Sequence, residues 1–526
     1  MHGVFARNEG LFAACPPSFS FFGLVDRESK GPNTAPIHRF LSLMRKMGVK
    51  SLLREDLEND PVLDAEFSAL RKSITPSPTA FEASAKRFTF SRGNQVRNWR
   101  DDNILGYLIL VTVVTDKMEM SYVYSAGTRL PSIVSKSAKR LLSHRVGHYY
   151  LHCSKTIKTT IGTVANHRSF SFSGNFFNQQ NGRSSVCGHV AFCMAFNNSP
   201  HYRGDMIHPH EITDNSARIG PLQMSLLGAK RQFHPLYADF GAKQIKVKYD
   251  EYVYPLIESG FPVILGIKHG ENLHSVAVFG HTLNTDRWSP EARLHYLRKT
   301  GSAGISSCAW VDHLLFADDN FGPLLALPAN TQDRRTKMHV SFALGFVPAG
   351  IKVPGYIAEQ SSGAFAKRIV SSSRSIARQF DLGKPSEWLS RLSTQTLVFR
   401  TILLKKQDYM LHAAACHDQR GRKISKSDLD RLDQSIPNIF WLTELTIPSL
   451  YTANKRKLGE FFMEASASKQ DVNNWRALAF GWLPGLHVRM VSISRQDYGF
   501  TFGDWSINGH VPLLRTKDGE DQRLEW

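Results

Sequence analysis

The chain contains no Cys-x-x-Cys, and its six cysteines (Cys15, Cys153, Cys187, Cys193, Cys308 and Cys416) are few and widely spaced. That spacing argues against a structural zinc site and against a disulfide-stapled scaffold, and it fits reduced thiols in a cytosolic protein. The longest apolar stretch, Tyr107 to Val114, falls far short of the roughly 20 residues that span a bilayer. The first ten residues lack the apolar core of a signal peptide. A soluble, cytoplasmic protein is therefore expected. There is no long Lys/Arg run, arginine-rich repeat, internal repeat or low-complexity tract. Nucleic-acid binding is thus not expected as the main role. The chain is nevertheless basic, with 65 Lys+Arg against 46 Asp+Glu and a net charge of +19. An acidic protein or peptide partner suits that balance.

At 526 residues the chain is too long for one ordinary core. Four regions are expected. Residues 1–104 read as a partly helical accessory region, with helical periodicity from Ile37 to Ser73 that takes in Leu41, Met44, Leu52, Leu53, Leu63 and Leu70. Residues 105–350 carry strands, short helices and the polar loops between them. Residues 351–384 read as a helical linker and residues 385–526 as a C-terminal α+β unit. Ser135 to Ser143 is a short basic helix candidate. Pro255 suits the first turn of a helix that stops at Gly260 before Pro262. Phe261 to Ile267 and His274 to Gly280 then form a hairpin about a His-Gly-Glu-Asn turn at 269–272. Ala309 to Ala317 is a further strand, running into Asp318-Asp319-Asn320-Phe321-Gly322.

Cys187 stands where the polar loop Asn181-Gly182-Arg183-Ser184-Ser185-Val186 meets the helix-compatible segment Val190 to Phe196. A thiol at the first turn of a helix faces about half a positive charge, which favours thiolate and so nucleophilic chemistry. Such a thiol needs a base, a group that orients the base, and donors for an oxyanion. His274, on a strand after a turn, is the candidate base; His269 and His281 are alternatives, and His189 points elsewhere on the helix. Asp318 is the candidate orienting group, with Asp319 and Asn320 in competition. Gln180, on the loop before Cys187, is the candidate oxyanion donor. Cys193 is read as packing. His201, His208 and His210, with Asp205 and Glu211, share a polar stretch, but no motif completes a metal site, so neither metal nor cofactor is assigned.

This order resembles the papain-like cysteine peptidases, and within them the bacterial branch similar to the double-glycine leader peptidases. The resemblance is carried by Gln180, Cys187-Gly188, Gly260-Phe261-Pro262-Val263-Ile264, His274-Ser275-Val276-Ala277-Val278-Phe279-Gly280 and Asp318-Asp319-Asn320-Phe321-Gly322, and covers about residues 170 to 330. It implies an α+β fold in which a helix bearing Cys187 packs on an antiparallel sheet. It further implies a Cys187–His274–Asp318 triad, Gln180 in the oxyanion hole, no cofactor, and hydrolysis of a peptide or isopeptide bond through a thioester. One extra loop residue separates Gln180 from Cys187 relative to the usual family spacing, which leaves Gln179 and Asn181 as alternatives. Transglutaminase-like acyl transfer uses the same residue order and is the second reading. A catalytically inert, peptidase-like binding protein with a basic surface is the third.

Overall fold

Long runs rich in β-branched and aromatic residues, such as Ile104–Thr115, pair into three seven-stranded sheets with helices between them. The computed structural model describes residues 10–15, 21–58, 60–74, 77–129, 148–151, 153–212, 219–241, 247–283, 304–329, 338–382, 387–492 and 498–514. The helix candidate Ser135 to Ser143 lies outside these residues. The protein is a mixed α+β molecule whose sheets are antiparallel apart from the parallel pair Gly304–Ser306 and Leu397–Lys405. No helix among the described residues is long and apolar enough to cross a membrane.

The N-terminal sheet runs in the order Leu11–Ala14, Ser51–Leu57, Phe81–Ser91, Ile104–Thr115, Glu119–Arg129, His167–Phe177 and Lys155–Gly162. Phe81–Ser91 and Ile104–Thr115 pair along their full length, so this sheet continues straight through residue 104. Two helices accompany it, α1 (Ala35–Lys46) and α2 (Pro61–Ser73). Asp60 caps α2, its carboxylate accepting from Val62 N–H at 2.8 Å and Leu63 N–H at 3.2 Å. Leu52 and Leu53, which fit a helical period, instead lie in the strand Ser51–Leu57. A pair of adjacent leucines fits either period, and pairing with Leu11–Ala14 and Phe81–Ser91 decides for the strand.

The central sheet comprises β1 (His148–Leu151), β2 (Phe233–Asp239), β3 (Val263–His269), β4 (Asn272–Leu283), β5 (His313–Asp318), β6 (Gly322–Pro328) and β7 (Met338–Pro348). Its order is β6-β5-β4-β3-β7-β2, with β1 pairing the far end of β4. Helix α3 (Cys187–Asn198) packs against β3, β4 and β5, and its other side meets the N-terminal sheet strand His167–Phe177. Phe192, Phe196, Ile264, Phe279, Phe342 and Phe90 share one core across these layers. The opposite face of the central sheet packs on α4 (Tyr249–Glu258), α5 (Gly355–Gln379) and residues Leu403, Trp441 and Met463 of the C-terminal sheet.

Helix α4 begins at Tyr249, with Asp250 and Glu251 in its first turn, so Pro255 sits inside the helix and not at its start. Gly260, at φ +79°, ends α4 with the paired bonds Gly260 N–H to Ile257 O and Phe261 N–H to Leu256 O. This left-handed stop turns the chain into β3. Gly270, at φ +60°, opens the two-residue turn between His269 and Asn272. A glycine there suits the twist of a tight hairpin. Local chemistry thus fixes the path from α4 to the first residues of β4, where His274 lies.

The C-terminal sheet continues from Leu397–Lys405 through Ile439–Thr446, Gly459–Glu464, Leu478–Leu483, Leu486–Ser492 and Tyr498–Asp504. A buried chain of charges ties it to α4. Arg400 contacts Glu258 at 2.6 Å and Glu444 at 2.8 Å, and Lys457 contacts Glu444 at 2.7 Å and Glu460 at 2.5 Å. His281 of β4 reaches Glu258 at 2.7 Å, and Tyr409 and Trp482 donate to Glu460.

Candidate active site

Cys187 is the first residue of α3 and is partly exposed, whereas the other five cysteines are buried. His189, two residues on, turns back to accept the Val186 N–H at 3.3 Å on its Nδ1 and so caps the helix. Burial lowers its pKa. Cys193 is fully buried in the same helix, and burial lifts its thiol far above the ordinary range.

The loop that delivers Cys187 is pinned from the N-terminal region. Glu66 of α2, 1% exposed, accepts from Tyr122 Oη at 2.6 Å and from Asn181 Nδ2 at 3.0 Å, and its other oxygen meets His210 Nδ1 at 3.2 Å. Asn181 also accepts the N–H groups of Arg183 and Ser185 on its Oδ1. Gln179 accepts the Val123 N–H and donates to Asn33 O. Asn181 commits both amide hydrogens, to Glu66 and to Ser184, and Gln179 bonds the backbone on both sides of the loop. Gln180 differs: its Nε2 donates to Asn320 Oδ1 at 2.8 Å, next to the acidic turn, and a primary amide has a second N–H to give.

His274 brings the parts together. Cys187 lies close enough to help raise its pKa, and its Nε2 lies 3.1 Å from Asp318 Oδ2 and 3.3 Å from Asp319 Oδ1. With Nε2 committed to the carboxylates, Nδ1 is the nitrogen left for the thiol. The two carboxylate distances are in ion-pair range, yet neither is an aligned hydrogen bond. Burial pulls the His274 pKa down, but Asp318, Cys187 and Asp319 outweigh it and raise it to about 10. Asp318 does two jobs. Its Oδ1 accepts the N–H of Asn320 at 2.8 Å and of Phe321 at 3.3 Å, shaping the turn, while its Oδ2 faces His274. Asp319 is 1% exposed, and burial raises its pKa to about 7, with the charge on Asp318 adding to the rise and His274 opposing it. Arg39 of α1 braces this turn by donating to Pro323 O and, at 2.5 Å, to Leu324 O.

His269 is exposed at the hairpin end, and His281 is buried against Glu258, so neither sits with Cys187. The polar-loop histidines are occupied structurally. His201 bonds Ser259 O, His208 bonds Tyr124 Oη, and His210 bonds Glu66. Sequence reasoning missed Glu66, whose role depends on a long-range contact that no local motif announces. It also missed that Asp318 and Asp319 both face His274.

A second Cys–His contact is present and shows what the first has. On the helix Lys406–Ala415, His412 Nε2 lies 3.2 Å from Cys416 Sγ, a pair readable from i,i+4 spacing. Burial raises the Cys416 thiol to about 11 and lowers His412 to about 3, and Lys457 pushes His412 further down. Both shifts favour the neutral forms, so this pair lacks the charge that Asp318 and Asp319 lend His274. It has a consequence for stability. His412 is unprotonated in the folded chain and titrates near 6.5 when unfolded, so its contribution is complete above pH 6.5. Below that, stability falls by roughly 1.4 kcal/mol per pH unit until the folded pKa near 3 is reached. Urea unfolding of wild type and His412→Gln at pH 7 and pH 5 should give a smaller acid loss in the variant; an equal loss would contradict the assignment.

No family model, curated protein or solved structure matches this chain.

Proposed function

We propose that this protein is a thiol hydrolase with a papain-like core that cleaves a peptide or isopeptide bond in a protein substrate. One arrangement carries the reading: a partly exposed thiol at a helix start stands near a histidine whose Nε2 faces two buried carboxylates at 3.1 and 3.3 Å, and those groups together raise the histidine's pKa. An imidazolium beside the thiol favours the thiolate. The layering of α3 on an antiparallel sheet supports the same core.

In this mechanism His274 takes the Cys187 proton and the thiolate attacks the substrate carbonyl. The free N–H of Gln180 and the Cys187 backbone N–H receive the oxyanion. His274 returns its proton to the leaving amine, and a thioester forms as the C–N bond breaks. Water, giving its proton to His274, then releases the acid and restores the thiol. Asp318 keeps the ring oriented throughout. The net charge of +19 favours an acidic substrate.

The test is the rate of iodoacetamide alkylation at Cys187, located by peptide mapping. Exposure alone makes Cys187 the first cysteine to react, so selectivity is not the readout. The rate constant at pH 7 should exceed that of the same cysteine in urea-unfolded chain by about tenfold, because a free thiol is only a few per cent thiolate there. A folded rate equal to or below the unfolded rate would overturn the reading.

A further inference from the structure

The acidic turn places more negative charge beside His274 than an orienting role requires. In the proposed mechanism one carboxylate suffices to orient the ring, yet Asp318 and Asp319 both face Nε2, and both are buried, at 5% and 1% exposure. Asp319 has no aligned hydrogen bond to either oxygen. A buried carboxylate without such bonds is costly unless a proton or a cation neutralises it. Among the described residues, His274, Asp318 and Asp319 are the group of three His, Cys, Asp or Glu side chains whose ligand atoms converge, all within 4.8 Å of one another.

We propose that His274 Nε2, one oxygen of Asp318 and one of Asp319 form a binding site for a divalent cation of the Zn2+ type, and that its occupancy silences Cys187. The spacing fits. Zinc holds nitrogen and carboxylate oxygen at about 2.0–2.2 Å, which sets neighbouring tetrahedral ligands about 3.4 Å apart. Nε2 stands 3.1 and 3.3 Å from the two oxygens without the alignment of a hydrogen bond. One imidazole and two carboxylates also match a borderline cation better than a thiolate-seeking one. The charge closes as well: two carboxylates and a neutral imidazole take up a 2+ ion without residual charge. A cation on Nε2 leaves the imidazole a much poorer proton acceptor at Nδ1, so Cys187 loses its base. The silencing half of the proposal rests on the hydrolase reading; the binding half does not.

The experiment titrates Zn2+ alone into chelator-stripped full-length protein, read by competition with a chromophoric chelator, for wild type, Cys187→Ala, Asp319→Asn and His274→Gln. Circular dichroism checks each variant. Wild type and Cys187→Ala should bind one Zn2+ per chain, and Asp319→Asn and His274→Gln should each weaken binding at least tenfold. His274 is 26% exposed in its side chain, so its variant keeps the test open if the buried Asp319→Asn fails to fold. Absence of stoichiometric binding overturns the proposal, as does binding that neither variant changes. Alkylation of Cys187 is then followed with and without Zn2+: protection in wild type that His274→Gln abolishes supports silencing, and undiminished alkylation at saturating Zn2+ overturns it. An unreactive Cys187 with intact Zn2+ binding would sink the hydrolase and leave the cation site standing.

Discussion

Replacing His274 with alanine should lower peptide-bond hydrolysis by about 10²- to 10⁴-fold, the usual worth of a positioned acid–base group. It should also slow Cys187 alkylation at neutral pH by about tenfold, the gap between a paired thiolate and a free thiol. The two numbers differ for a reason. Alkylation needs only the thiolate, whereas hydrolysis also needs a proton for the leaving amine and a base for the water. Little of either loss should come from unfolding, since the His274 side chain is 26% exposed and leaves only a small cavity. Asp319, already raised to about 7 by burial, will take up a proton when its imidazolium is removed. Rate constants for alkylation and for turnover of an acidic peptide library, measured on wild type and variant with matched circular dichroism, check the claim. Equal loss in both rates would mean that His274 acts only on the thiolate. No loss in either would remove it from the site.

The largest effect on stability should follow Arg400→Met. Arg400 is 8% exposed in its side chain and stands between Glu258 and Glu444, also donating to Leu514 O at 2.8 Å. Burial alone would depress its pKa, but Glu258 and Glu444 outweigh that and raise it. Removing one member of a buried charge network leaves the others uncompensated and costs about 3–5 kcal/mol. Glu444 would keep Lys457, and Glu258 would keep His281. Arg400→Met should therefore lower the free energy of unfolding by that amount in urea titrations, and adding Glu258→Gln should recover part of it. A change below about 1 kcal/mol would show that the charges are satisfied without Arg400.

Punctuation made the hairpin legible: Gly260 stops α4, Gly270 turns the strands, and β-branched residues fill β3 and β4. The start of α3 was equally plain, a polar loop meeting an apolar run at Cys187. The sequence left three donors open near that loop, and their partners lie far along the chain: Gln179 on Val123 and Asn33, Asn181 on Glu66, and Gln180 on Asn320. It was silent on Arg400, which sits in a mostly apolar strand, Leu397–Lys405. A lone arginine in such a run is compatible with an edge position or a buried one. Its partners come from α4 and Ile439–Thr446, and nothing local names them.

The brace from Arg39 to the turn after Asp318 spans 284 or more positions of chain. Translation delivers α1 first, Cys187 next and the acidic turn last. A growing chain thus exposes its thiol before either its histidine or the carboxylates exist, and the turn is clamped only after residue 324 has left the ribosome and met a helix made long before. A fragment ending short of Asp318 would carry Cys187 and His274 without either carboxylate, and one ending short of β6 would lack the backbone that Arg39 clamps.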